Sequence, residues 1–251
     1  MEPLYVMLVG KPVANHIYFG KKKMEVSKKQ ILHTHYIFYR NLKPYYKRCF
    51  EHRVEMFLKE YIIEGRGGFV VTDEVKYILA GNFVRLTFGM NYYLIDSLKW
   101  ILIYPEQYQS SITGEIYEGD YSPRHKTVAF SWKKFMEGIQ IDNNNIDLGI
   151  HEFGHAVYFS LSRQGSGQIS RSFIFMKQFE TIDKMLQDEN YFNHLRNSDY
   201  FRQYAFVNRV EFISVILECF FETPQIFRQK FPELYSKVKK MISYREGWFQ
   251  Y

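Results

Sequence analysis

The stretch Leu148-Gly149-Ile150-His151-Glu152-Phe153-Gly154-His155-Ala156-Val157 decides the reading of this chain. A helix is expected from about Ile146 to Leu161, following the turn residues Asn143-Asn144-Asn145. On a helix, residues four apart lie one above the other on the same face. His151 and His155 therefore present two imidazoles to one point. Glu152 stands beside the first of them, able to reach a water there without being a ligand. Leu148, Gly149, Ile150, Phe153, Gly154, Ala156 and Val157 are all uncharged. Two histidines and a glutamate in such a helix need a reason to be there. The spacing predicts a zinc site in which Glu152 is the general base.

A catalytic zinc takes three protein ligands and one open position. Cys49 and Cys219 are the two cysteines, so a cysteine-rich site is excluded and two buried, reduced thiols are expected. His125 and His194 are isolated in sequence. The remaining candidates are Glu180, Glu211 and Glu218, each on an expected helix. Glu180 has the polar neighbours Lys177, Gln178 and Lys184, whereas Glu211 and Glu218 flank the apolar residues Phe212, Ile213, Val215, Ile216 and Leu217.

Outward from this centre, helical spacing is expected over about Lys29–Glu64 and, after the break at Gly65-Arg66-Gly67-Gly68, from Thr72 as N-cap to about Phe88. Phe69-Val70-Val71 reads as a short strand or as an approach segment to the next helix. Leu98–Tyr104 and Thr127–Trp132 read as strands rich in β-branched and aromatic residues. Residues 109–124 read as a loop or hairpin, and Ser162–Ser172 as a flexible serine- and glycine-containing loop. The expected class is α+β, helix-rich with a small sheet. The strand at Val128, Ala129 and Phe130 is expected to expose an edge and pair with an extended peptide.

The 251 residues fit one domain. Residues 1–28 read as an N-terminal extension and 29–251 as the domain. The net charge of +6 is not gathered on a stripe: its dense run is Lys21-Lys22-Lys23 with Lys28-Lys29, which reads as a solvated arm. Nucleic acid is thus not an expected partner, and no run is long and apolar enough to span a bilayer. Leu4–Val9 is too short and ends at Lys11, so no signal peptide is read.

Several further segments follow in order: Gly67-Gly68-Phe69-Val70-Val71-Thr72-Asp73-Glu74-Val75, Ile103-Tyr104-Pro105, Val128 to Trp132, then Tyr204, Asn208, Glu211, Phe212 and Glu218-Cys219-Phe220-Phe221, then Pro232-Glu233-Leu234-Tyr235. With His151–His155 they make the chain resemble the Mlc titration factor A family of zinc peptidases, also called glucose-regulated metallopeptidases, over about residues 30–244. The resemblance implies a zincin-like core similar to that of anthrax lethal factor, a single zinc ion, aminopeptidase-like cleavage of small peptides and a cytoplasmic setting. It selects Glu211 as the third ligand and implies that Tyr204 stabilises the oxyanion. The family's founding member binds a transcriptional repressor, which implies a regulator protein as a partner and, as the alternative function, a module that sequesters such a regulator. The chain departs from the family at Ala156-Val157-Tyr158-Phe159, where a Leu-Asp pair is usual.

Overall fold

A computed structural model describes residues 16–18, 20, 23–109, 114–141, 143–162 and 169–250. The segment Leu4–Val9, Lys21, Lys22 and residues 163–168 of the serine- and glycine-containing loop lie outside the described residues.

The expected helical stretch at Lys29–Glu64 is three helices and a strand: α1 (Val26–His35), α2 (Ile37–Asn41), α3 (Pro44–Glu60) and β1 (Ile62–Gly65). Tyr36 and Leu42 take extended backbone, and Pro44, whose fixed φ suits a first helical turn, opens α3. Gly67 and Gly68 sit at positive φ, where a side chain would be strained. The chain then runs through Phe69–Val71 without forming a strand. Thr72 caps α4 (Asp73–Thr87), its hydroxyl accepting from the Val75 N–H, with Asp73 and Glu74 in the first turn where the helix dipole favours acids.

Five strands follow: β2 (Trp100–Tyr104), β3 (Tyr108–Gln109), β4 (Ile116–Tyr117), β5 (Gly119–Ser122) and β6 (Thr127–Ser131). The helices α5 (Trp132–Gln140), α6 (Leu148–Ser162), α7 (Ile169–Leu186) and α8 (Glu189–Arg196) come next. A 3-10 turn at Gln203–Phe206 then leads to α9 (Arg209–Glu222), α10 (Pro224–Lys230) and α11 (Pro232–Met241). The helix-rich α+β architecture is as the sequence predicts, and no helix among the described residues is long and apolar enough to cross a membrane.

The main sheet has the order β1-β2-β6-β5, and β3 pairs with β4 as a separate ribbon. β1, β2 and β6 run parallel, while β5 is antiparallel to β6. The expected exposed edge at Val128–Phe130 is therefore not there. β6 is paired on both sides, with Val128 and Phe130 wholly buried and Ala129 nearly so. A strand paired on two sides has no backbone left for a peptide, and the edge beside α6 is β5.

Helix α6 lies between α4, α9 and β5. Phe153, in the middle of the histidine motif, turns away from the histidines into an aromatic core. Its ring centroid is 5.1 Å from Phe83 and 5.2 Å from Phe130. Burying such a ring contributes about 1.5–3 kcal/mol. Close approach to α4 is possible because residue 149 is glycine: a Cβ there would stand 2.6 Å from Asn82 Oδ1. The stretch read as an N-terminal extension reaches this core, since His16 Nε2 lies 3.0 Å from the Phe88 carbonyl and its ring sits 5.6 Å from Trp248.

Candidate metal centre

The apolar pattern of α6 buries one face and leaves His151 and His155 on the side turned to α9. The two Nε2 atoms are 3.2 Å apart. Asn208 caps α9 by accepting from the N–H groups of Val210 and Glu211, which sets Glu211 in the first turn. The Glu211 side chain does not turn back to close a capping box. Its Oε2 is 3.0 Å from His151 Nε2 and 3.5 Å from His155 Nε2. Glu180 is exposed on α7. His151, His155 and Glu211 are thus brought together, and they form the one group of this kind among the described residues.

These separations test the fit to a metal. Zinc bonds of about 2.0–2.2 Å in a tetrahedron put ligand atoms about 3.3–3.6 Å apart. The observed 3.0, 3.2 and 3.5 Å lie close to that triangle, so the donor set and its spacing both suit zinc. Electrostatics agrees. Burial opposes a charge on His151, yet Glu211 and Glu218 outweigh it and raise the imidazole pKa to about 10. Burial also opposes charge on Glu211, but hydrogen bonds from His151 and His155 hold its carboxyl well below the usual carboxylate range. The cluster favours an added positive charge at its centre, which a proton or a cation can supply.

Each histidine has a partner on its other ring nitrogen. His151 Nδ1 is 2.6 Å from Glu218 Oε1, and His155 Nδ1 is 3.3 Å from Ser214 Oγ. Such partners fix the ring orientation and leave Nε2 to face a metal.

Glu152 is almost fully buried and stands apart from the triangle, lining a cleft of about 750 Å³ with His155, Glu211, Tyr204 and the β5 residues Gly119, Asp120 and Tyr121. Burial raises its pKa, against the opposing pull of His151 and His155. A Cβ on Gly119 would meet Glu152 Cγ and Oε1 at 3.0 Å, so the bare backbone of β5 lies directly against this carboxylate. Tyr204, half exposed on the 3-10 turn, has its ring 6.0 Å from that of His151. Its hydroxyl pKa is raised to about 12, first by burial and then by Glu211.

Sequence reasoning passed over Arg202 and Ser214, and it weighed Glu218 only as a rival ligand. Glu218 did carry a signal, a carboxylate in an apolar run, but its partner lies 67 positions away. Val128, Ala129 and Phe130 are not brought to the cleft lining.

The sequence model of the glucose-regulated metallo-peptidase M90 family matches residues 14–244. The chain belongs to this family. The match takes in His151, His155 and Glu211 and begins within the stretch read as an extension. A Synechocystis sp. protein described as uncharacterized, slr2042, is 25% identical over 225 residues, covering 81% of this chain and 78% of its own length. Membership of the M90 family makes this a chain of the metallopeptidase class, which implies a metal ion, and its His-His-Glu group has the donor set to hold one.

Proposed function

We propose that this M90 protein is a zinc peptidase with one metal ion held by His151, His155 and Glu211. The observation that carries the reading is the triangle of donor atoms at 3.0, 3.2 and 3.5 Å, with Glu152 outside it and facing the same cleft. A zinc in that triangle supplies Lewis acidity toward a carbonyl and toward a water beside it.

The protein's own groups do the rest. Glu152 accepts a proton from the water as its oxygen adds to the peptide carbonyl carbon. Tyr204 donates its O–H to the carbonyl oxygen as negative charge gathers there. The carbon–nitrogen bond then breaks, and the proton held on Glu152 passes to the leaving amine. Burial of Glu152 supports this role, because a raised pKa suits a group that must take up a proton and give it back.

The substrate is an extended peptide lying along β5. Ser131 donates its N–H to the Glu118 carbonyl, so the alternation of antiparallel pairing turns the Gly119 backbone away from β6, on the side next to Glu152. Small peptides cleaved from their amino end are the class that the family resemblance supports. Cys49 and Cys219, both buried and neither in a disulfide, support a reducing, cytoplasmic setting.

The test measures bound metal in the purified protein and compares peptide turnover before chelation, after chelation and after zinc is restored. One equivalent of zinc, with activity lost and regained, is expected. Protein that folds but takes up no divalent metal overturns the reading. Full metal loading without turnover of any peptide leaves sequestration of a regulator protein as the better account.

A further inference from the structure

Glu218 is wholly buried, and both of its carboxylate oxygens are occupied. Oε1 takes the His151 Nδ1 contact at 2.6 Å and an Arg202 Nη2 bond at 2.5 Å. Oε2 accepts from the Asp147 backbone N–H at 2.9 Å and from Arg202 Nη1 at 3.0 Å. A buried carboxylate is costly unless it is paired in this way. These four contacts reach three separate pieces of chain. His151 belongs to the metal triangle, Asp147 opens the first turn of α6, and Arg202 leads into the turn that carries Tyr204. The Arg202 guanidinium also lies 5.9 Å from the Tyr204 ring centre.

Glu218 and Glu211 hold the same imidazole from opposite sides. Glu211 faces Nε2, whereas Glu218 faces Nδ1 and so stands behind the ring. Arg202 Nη2 also lies 3.0 Å from Nδ1, but a carboxylate can only accept, so the shorter 2.6 Å contact commits the Nδ1 proton to Glu218. Nε2 is then the nitrogen left to a metal, and the ring cannot turn without breaking a charge-assisted bond.

We propose that Glu218 is the positioning residue of the metal centre. It fixes the tautomer and rotation of His151 and ties that ring to the start of α6 and, through Arg202, to Tyr204. The proposal rests on the metal reading given above for its consequence on zinc, but the hydrogen bond itself is independent of metal. Glu218 would touch neither zinc nor substrate.

The experiment uses the full chain labelled with nitrogen-15, with and without zinc. The wild-type protein is expected to show a downfield, slowly exchanging His151 Nδ1–H resonance, assigned by its loss in His151→Asn. In folded Glu218→Gln that resonance moves upfield or vanishes, and zinc affinity, read by competition with a chelator, falls about 10–100-fold. Glu218→Asp retains the charge but is one methylene short; it serves the same purpose if Glu218→Gln does not fold. A purely structural role would lower the unfolding midpoint and leave both readings in place. Zinc affinity within about twofold of wild type in either folded variant overturns the proposal, as does a wild-type spectrum lacking the Nδ1–H resonance. If the wild type takes up no zinc, the metal reading falls and the resonance alone decides the role of Glu218.

Discussion

The triangle of His151, His155 and Glu211 has two unlike walls. On the deep wall His151, Glu218, Asp147 and Arg85 are buried or nearly so, and they pair as His151–Glu218 and Arg85–Asp147. On the cleft wall His155 meets a neutral serine at 3.3 Å, Tyr204 is half exposed, and Glu152 faces the cavity. The deep wall is built to hold geometry, because each group there is fixed by others. Groups on the cleft wall keep the freedom to meet a substrate and to exchange protons. Stability and chemistry should therefore respond to substitutions on different walls.

The largest effect on chemistry belongs to the cleft wall. Glu152→Gln keeps the shape of the side chain and removes its ability to take a proton. Peptide turnover should fall about 10²–10⁴-fold, the usual contribution of a general base. Zinc content and the thermal midpoint should stay close to wild type, since the carboxylate lies outside the triangle. Near-normal turnover in a zinc-loaded Glu152→Gln protein would break the division between the walls.

The largest effect on stability belongs to the deep wall. Asp147 is wholly buried; it accepts from Asn82 Nδ2 at 3.0 Å and from the Ile150 N–H at 2.9 Å, and it pairs with Arg85. Asp147→Ala leaves the Arg85 charge without its partner and uncaps α6. Breaking a buried pair of this kind costs about 3–5 kcal/mol. Urea unfolding of the metal-free protein reads this directly, because bound zinc would mask part of the loss by linkage. Turnover of the fraction that stays folded should fall far less than in Glu152→Gln. A midpoint unchanged in Asp147→Ala would show that the deep wall does not hold the fold.

The two walls were also unequally legible in the sequence. The histidine motif, which gives His155 and Glu152 to the cleft wall and His151 to the deep one, is local: the three lie within five residues, so helical spacing alone places them. Glu211 was readable in part, as a carboxylate next to an apolar run. The same argument applied to Glu218, but one carboxylate in an apolar run looks like another until its partner is known. What separates them is which imidazole nitrogen each one faces, and that depends on how α9 lies across α6.

The sheet edge failed for a similar reason. Thr127–Ser131 has the composition of a strand and is one, yet pairing on both sides makes it internal. Gly119-Asp120-Tyr121-Ser122 has residues that strands usually avoid, and it forms the edge next to Glu152. Strand order is a tertiary property and leaves no local signature. Helix α5 is hidden likewise: by composition Trp132 continues the strand, whereas in the structure Ser131 ends β6 and caps the helix by accepting from the Lys134 N–H.

The smallest expected effect gives the sharpest comparison of the walls, because it asks whether the two histidines are held with equal force. Ser214 is buried on α9, and its Oγ lies 3.2 Å from the His151 carbonyl and 3.3 Å from His155 Nδ1. The hydroxyl can donate to that carbonyl while accepting from the imidazole. Ser214→Ala removes the acceptor and leaves His155 Nδ1 without this partner on the side away from the triangle. A neutral hydrogen bond contributes about 0.5–1.5 kcal/mol, so zinc affinity should fall about 2–10-fold. That is less than the loss expected when the charged partner of His151 is removed. Metal competition on Ser214→Ala and Glu218→Gln, side by side in one buffer, measures the difference. Equal losses would mean that the second imidazole depends on its serine as much as the first depends on its carboxylate, and the two walls would then be one.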